Sequence, residues 1–398
     1  MSAAPSFRPA PGSKSAPRDE LLVVLDVDGV TRRGVTDSAD PAVIRAVKEL
    51  LDHSVEAKVH AEVAFLSGTP SFLQAADLPD WCGGNVPLSF VFGDSFNAEI
   101  AAGRVSIHGQ LGADKLVLNK ACEDGREALV GVVEQGFTHT QQAEIFVALI
   151  EAYLVDLERT SREAHMRIAP SAADAMVAVK EAAKALEKAA AAGIAPKLCT
   201  RAPPELEPFA AAVREHFDPH FRVVSNGATV EYHDFKTLGK FHHEDLVVPG
   251  HASSGIAHRD GNSFRFVIVT TTNKGETVKR LVERRRAETA RRRGGNPEDH
   301  ELEVVTVGDT AIDYPMHELA STPFHVGIPA VWDAHDRAEV AHVACVTRRD
   351  GSAPLVDGTV AVLEAISHAM RSGGGGLDIK RVNAMLGDNM RVRETLVD

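Results

Sequence analysis

The chain has 398 residues, 44% hydrophobic and 25% charged, a soluble globular composition that excludes whole-chain disorder and suggests two or three domains. Its 43 basic and 56 acidic side chains give a formal net charge of −13, which excludes a nucleic-acid partner held by bulk electrostatics. No run of about 18 apolar residues exists, so no membrane span is expected. Residues 1–20 form a Pro-, Ser- and Ala-rich tail without the apolar core of a secretory signal. Cys82, Cys122, Cys199 and Cys345 lie far apart with no CxxC pair, which fits reduced thiols in a cytoplasmic protein.

Leu21–Leu25 is an apolar run that stops at Asp26, the pattern of a buried parallel strand. Asp40-Pro41 opens a helix, with Asp at the N-cap and Pro in the first turn. Val43, Ala46, Val47, Leu50 and Leu51 then repeat at helical spacing and give it one apolar face. A second strand, Val63–Leu66, ends at Ser67-Gly68-Thr69-Pro70. Strand, helix, strand at this spacing is a βαβ unit and implies a parallel sheet with a right-handed crossover.

Residues 74–262 have a different texture. Gly83-Gly84-Asn85 and Gly93-Asp94 read as turns, Ala143–Ala192 is Ala- and Glu-rich with helical spacing, and Phe221–Val230 looks β-like. The strand pattern resumes at Phe266–Val269. Asn273 with Glu276 resembles a capping box on a helix that buries Val278, Leu281 and Val282. Arg284–Glu301 reads as a solvated helix end and loop, and Val304–Val307 as a strand ending at Gly308-Asp309. Gly373–Gly376 links to a tail over 372–398. The expected fold is α/β: a doubly wound, Rossmann-like parallel-sheet core over 21–73 and 263–371, interrupted by an inserted α+β domain over 74–262.

The acidic residues carry the chemistry. Asp26-Val27-Asp28-Gly29 follows one strand, and Gly308-Asp309-Thr310-Ala311-Ile312-Asp313 follows another. Ligands of parallel sheets bind beyond the carboxyl ends of strands, so both acidic pairs should converge there with Ser67 and Lys274. Clustered carboxylates repel unless a cation neutralises them, and hard oxygen ligands favour Mg²⁺. Asp26 suits a nucleophile that forms an aspartyl-phosphate, and Asp28 a general acid that later acts as base for water. Ser67 and Lys274 would hold phosphate oxygens. Each piece alone reads as a turn, a cap or an exposed lysine; together and in order they outline a phosphate-plus-metal site.

Asp26-Val27-Asp28-Gly29-Val30, Ser67-Gly68, Lys274-Gly275 and Gly308-Asp309-x-x-x-Asp313 resemble, in order, the four motifs of the haloacid dehalogenase superfamily. The long insertion looks like the α/β cap of its Cof-like and sucrose-phosphatase-like branch, a layout shared by trehalose-phosphate phosphatases and phosphomannomutases. The resemblance covers about Leu21 to Met370, the cap by position only. Val30 stands where many relatives have Thr. The resemblance implies a Mg²⁺-dependent phosphohydrolase, with Mg²⁺ held by Asp26, the Asp28 backbone carbonyl and Asp309, and with Asp313 in support. It places sugar contacts in the late cap, where Asn226, His233 and Lys236 are candidates. The expected partner is a small phosphorylated molecule, a sugar or similar polyol phosphate.

Two other functions stay open. A phosphomutase would return the phosphoryl group to a second hydroxyl and needs a distal-phosphate cluster, for which Arg222 or Lys236 could serve. A non-catalytic phosphosugar-binding regulator has no chemical need for both Asp26 and Asp28. Lys240–Asp245, with His251 and His258, has transition-metal ligand types but reads as an exposed loop. Thr31, Arg32 and Arg33 could meet phosphate, yet arginines in a solvated loop are commonplace.

Overall fold

The structure, a computed structural model, describes residues 19–34, 36–69, 71, 86–119, 128–134, 222–225, 229–233, 266–270, 272–310, 313–327, 343–371, 384–385 and 390–393. The proposed Gly-rich link and the histidines of 242–258 lie outside the described residues.

A nine-stranded sheet runs in the order β12-β11-β10-β9-β1-β2-β3-β4-β5. Its strands are β1 Glu20–Leu25, β2 His60–Leu66, β3 Val105–Gly109, β4 Asp114–Asn119, β5 Ala128–Val133, β9 Glu303–Gly308, β10 Thr322–His325, β11 Ala344–Arg348 and β12 Met390–Arg393. The six central strands, β11-β10-β9-β1-β2-β3, are parallel, and β12, β4 and β5 join antiparallel. From β1 the chain winds out through β2 and β3, then returns to β9 on the other side of β1 and winds away through β10 and β11. This is the doubly wound α/β fold, with its switch point between β1 and β9.

Alternation along β1 explains the layers. Leu21, Val23 and Leu25 enter one core and Leu22 and Val24 the other. The first core is covered by α1 (Pro41–Glu56) and holds Leu88 and Phe92 of α2 (Leu88–Phe92). The second holds Val278 and Leu281 of α4 (Lys274–Arg293) and Met316 of α5 (Tyr314–His317); α3 (Asn97–Ala101) precedes β3. A long helix, α6 (Val356–Arg371), buries Val362, Leu363 and Ile366 in the first core. Both N-caps form as the sequence suggests: Asp40 accepts from the Ala42 amide at 2.9 Å and Asn273 from that of Glu276 at 2.8 Å. Such caps are worth about 1 kcal/mol each.

Three expectations are corrected. Val105–Val133, inside the stretch read as insertion, supplies β3–β5 of the core sheet, so the first core segment runs well past residue 73. Phe266–Thr270 (β8) pairs with β7 (Thr229–His233), not with the core. With β6 (Arg222–Ser225) they form a separate three-stranded antiparallel sheet, from which the chain enters α4. The arginine-rich segment is a solvated helix end and loop only over 291–299, which are exposed; before that it is a packed part of α4 (which runs to Arg293), with Arg285 buried against the sheet.

Candidate active site

The carboxyl ends of β1, β9, β2 and β3 lie side by side on one sheet edge, because these strands are parallel neighbours. Asp26 leaves β1 and its amide donates to the Val307 carbonyl at 2.9 Å, placing it on the β1/β9 seam. The Val27 carbonyl then accepts from the amides of Thr31 and Arg32 at 2.8 and 2.9 Å, closing a tight loop. Gly29 turns that loop with φ of +76°, and a Cβ there would come 2.1 Å from Asp309 Oδ2. Only glycine allows both the dihedral and the approach.

Lys274, at the first turn of α4, is the hub. Its Nζ donates to Asp26 Oδ1 at 2.6 Å and to Asp313 Oδ1 at 2.5 Å, and all three groups are buried. Asp313 Oδ2 accepts from the Asp309 and Thr310 amides at 2.9 and 3.0 Å, so this carboxylate shapes the loop after β9. Gly308 makes room for it, since a Cβ there would lie 2.5 Å from Asp313 Cβ. Gly275 packs likewise on the Pro315 backbone, holding the start of α4 against α5.

One ammonium does not neutralise three carboxylates. Burial pushes the Asp26 carboxyl up to about 7, with Asp313 adding to the effect and Lys274 opposing it. Burial likewise pushes Asp309 up to about 9, reinforced by Asp26 and Asp313. Burial also raises Asp313, but Lys274 and His317 outweigh it and hold that carboxyl below its usual range. Burial disfavours the Lys274 charge, yet Asp26 and Asp313 more than compensate and hold the ammonium above its ordinary value.

The residues fit a hard divalent cation. Asp26, Asp309 and Asp313 each offer an oxygen, all within 4.8 Å of one another. Asp309 Oδ1 is buried with no hydrogen-bond partner among the described residues, an orphan that a cation would satisfy. An all-oxygen donor set of this charge suits Mg²⁺ better than a transition metal.

Asp28 and Ser67 meet through Thr69. The Thr69 amide donates to Ser67 Oγ at 2.9 Å, and its hydroxyl lies 3.4 Å from Asp28 Oδ2. Gly68 lies between Ser67 and Thr69, partly exposed. The structure thus brings Asp26, Asp28, Ser67, Lys274, Asp309 and Asp313 to one edge. Asn226 and Lys236 lie outside the described residues, and His233 closes β7 opposite Arg222 and Phe266.

Sequence reasoning named Arg32 as a possible phosphate contact but set it aside as a solvated loop arginine. Far from being a solvated loop residue, it is fully buried, and its Nε donates to Asp28 Oδ1 at 2.7 Å. Its other nitrogens reach Thr69 Oγ1 at 3.4 Å and the Val86 carbonyl at 3.5 Å. Thr31, named with it, places its hydroxyl on the Asp26 carbonyl at 2.7 Å, a contact the sequence did not indicate. Their place directly after Asp26-Val27-Asp28-Gly29 was the only signal, and their burial follows from the reversal at Gly29.

No family model and no curated protein matches the chain. Among solved structures it is similar to a phosphatase of the haloalkanoate (HAD) enzyme superfamily from Bacteroides thetaiotaomicron, at 15% identity and a TM-score of 0.37 over 90% of this chain and 98% of that one. It is also similar to the Plasmodium falciparum IMP-nucleotidase, at 11% identity and a TM-score of 0.37 over 87% of this chain and 68% of that one. A third is a Thermotoga maritima protein, at 12% identity and a TM-score of 0.36 over 86% of this chain and 96% of that one. Likenesses this distant say nothing of substrate.

Proposed function

We propose that the protein is a cytoplasmic, Mg²⁺-dependent phosphomonoester hydrolase of the haloacid dehalogenase type. Its substrate is a small hydrophilic phosphate ester, a sugar or similar polyol phosphate. The observation that carries this reading is the Lys274 ammonium held between Asp26 and Asp313, with Asp309 beside them, at the switch point of a doubly wound sheet.

Asp26 is the nucleophile. One carboxylate oxygen attacks phosphorus, the bond to the leaving oxygen breaks, and the phosphoryl group rests on Asp26 as an acyl-phosphate. Asp28 gives its proton to the leaving oxygen and then takes one from the water that hydrolyses the acyl-phosphate. Lys274 and Ser67 hold phosphoryl oxygens, and Lys274 also keeps Asp26 oriented. Asp26, Asp309 and the Asp28 carbonyl would hold Mg²⁺, with Asp313 in support. When bound, the ion offsets charge between an anionic nucleophile and an anionic phosphate.

A phosphate-release screen over sugar phosphates with Mg²⁺, with EDTA and Mg²⁺ add-back, tests the reading. Release that EDTA abolishes and Mg²⁺ restores is expected. Metal-independent turnover would refute the metal site, and a phosphate-shifted isomer in a bisphosphate-primed assay would make the protein a mutase.

A further inference from the structure

At the end of β3 the chain makes a turn that the proposed mechanism does not use. Gln110 has φ of +50° and Leu111 +59°, two consecutive side-chain-bearing residues in the left-handed region. Such conformations persist only where surrounding contacts over-determine them, and they gather at ligand sites. Here the contacts come from both halves of the phosphate-holding machinery. The Leu111 amide donates to the Ser67 carbonyl at 2.8 Å, the Gln110 amide to the Thr69 carbonyl at 3.1 Å, and the Ser67 amide to the His108 carbonyl at 3.0 Å. From α4, the Thr277 hydroxyl donates to the Leu111 carbonyl at 2.8 Å and Arg280 to the Gly112 carbonyl at 3.0 Å. Gly109 is pressed so close that a Cβ would sit 2.3 Å from the Ser71 amide nitrogen. The turn is a wedge between the Ser67 loop and the helix that carries Lys274.

The Gln110 side chain is fully buried, and neither its amide nitrogen nor its amide oxygen has a hydrogen-bond partner among the described residues. Burying an unpaired amide is costly, and an apolar side chain of the same length would avoid that cost. A strained turn at the carboxyl end of β3, bonded to the Ser67 loop and carrying a buried amide without a partner, is economically explained if the partner arrives with the ligand. A phosphate oxygen would satisfy only the amide N–H₂. A hydroxyl both donates and accepts, so it can meet either end of the amide.

We infer that Gln110 is a specificity-determining residue that hydrogen-bonds a hydroxyl of the substrate's leaving group, next to the ester oxygen. The inference rests on the phosphatase reading and narrows its substrate class to esters with a hydroxyl neighbouring the phosphate. The test measures kcat/KM for glycerol 2-phosphate, whose hydroxyls flank the ester, and for p-nitrophenyl phosphate, which has none. Gln110→Leu should lower kcat/KM for glycerol 2-phosphate by about 10- to 100-fold and leave p-nitrophenyl phosphate within about threefold. Its ligand-free Tm should rise by a few °C, since a buried unpaired amide is removed. Gln110→Asn tolerates positive φ and keeps an amide one methylene short, so it should show the same selective loss.

Equal losses on both esters, no loss on either, or a lower Tm in Gln110→Leu would overturn the inference, the last by making the amide a structural element. Wild-type protein that hydrolyses neither ester would bring down the phosphatase reading itself, and this inference with it.

Discussion

The two ends of α4 meet the two ends of β1, and both meetings bury charge, yet the balance is opposite. At the amino end of β1, Glu20 faces Arg292 at 2.8 Å, Arg293 at 3.2 Å and Arg285 at 3.3 Å, while neighbouring Glu62 takes Arg284 and the Ser106 hydroxyl. With Asp19 on Arg293 and Glu288 beside Arg284 and Arg285, four guanidinium groups there meet four carboxylates. At the carboxyl end, among the described residues, Lys274 is the one ammonium on Asp26 and Asp313, and Asp309 keeps a buried oxygen unpartnered. The same strand and helix thus neutralise charge fully where it only joins elements. They leave a positive-charge deficit where a cation and a phosphate are expected. A deficit costs stability, so its persistence at one end and not the other points to function.

The sharpest way to break this contrast is Asp26→Asn. The nucleophile is lost while the side-chain volume stays, so phosphate release should fall by about three orders of magnitude or more with unchanged circular dichroism. Turnover at the wild-type rate would end the covalent mechanism. Lys274→Met comes next and acts on both ledgers. Activity should fall, and metal-free stability by about 3–5 kcal/mol at neutral pH, because two buried carboxylates lose their cation. Urea titration measures the second effect, and a loss below about 1 kcal/mol would mean that the carboxyl end is not charge-starved.

A further group at this edge gives a pH signature. His108 is buried, and burial pushes its imidazole down to about 4, with Arg284, Lys115 and Arg280 adding to the effect. Glu134, 3.8 Å away, is the largest charged influence and opposes the shift, but burial outweighs it. The unfolded ring takes a proton near 6.5 and the folded ring near 4, so the unfolded chain binds more protons between those values. Stability is full above pH 6.5 and drains as pH falls toward 4, on the order of 3 kcal/mol in all. His108→Gln should flatten this part of the stability–pH curve relative to wild type. Parallel curves would show that the ring is solvated.

Mg²⁺ binding should reveal the deficit without any substrate. At a hundredfold excess over its dissociation constant, an ion bound only by the folded state adds about 2.7 kcal/mol. Mg²⁺ should therefore raise the Tm of wild type and not that of Asp309→Asn. An equal rise in both would place the ion elsewhere.

Much of this was legible because parallel sheets obey strong local rules. The apolar runs before Asp26, Ser67 and Asp309 are buried strands, and strands of that kind put their following residues on one edge. Partner choice was not legible. Phe266–Thr270 followed by a capping box looks like any core βα unit, but which sheet it joins depends on pairing with β7, a non-local fact. β3 was taken into the insertion because Val105–Gly109 is short and carries polar Ser106 and His108. Both face the polar side where Glu62 and Arg284 pair, so the strand lacks the continuous apolar run of its neighbours. Arg32 was misjudged for a similar reason: its burial depends on Asp28 and Thr69, which meet it only after the chain has turned.

The smallest expected effect completes the contrast from the amino end. Arg292 is one of three guanidinium groups on Glu20 and is 37% exposed. Removing it leaves Glu20 paired with Arg285 and Arg293, so Arg292→Ala should cost less than about 1 kcal/mol and leave kcat/KM unchanged. Raising the salt concentration should shrink even that cost, since the pair is partly open to solvent. A cost matching that of Lys274→Met would mean that charge at both ends is equally irreplaceable. The three arginines on Glu20 would then not be redundant, and the positive-charge deficit at Asp26 would lose its meaning as a mark of the active site.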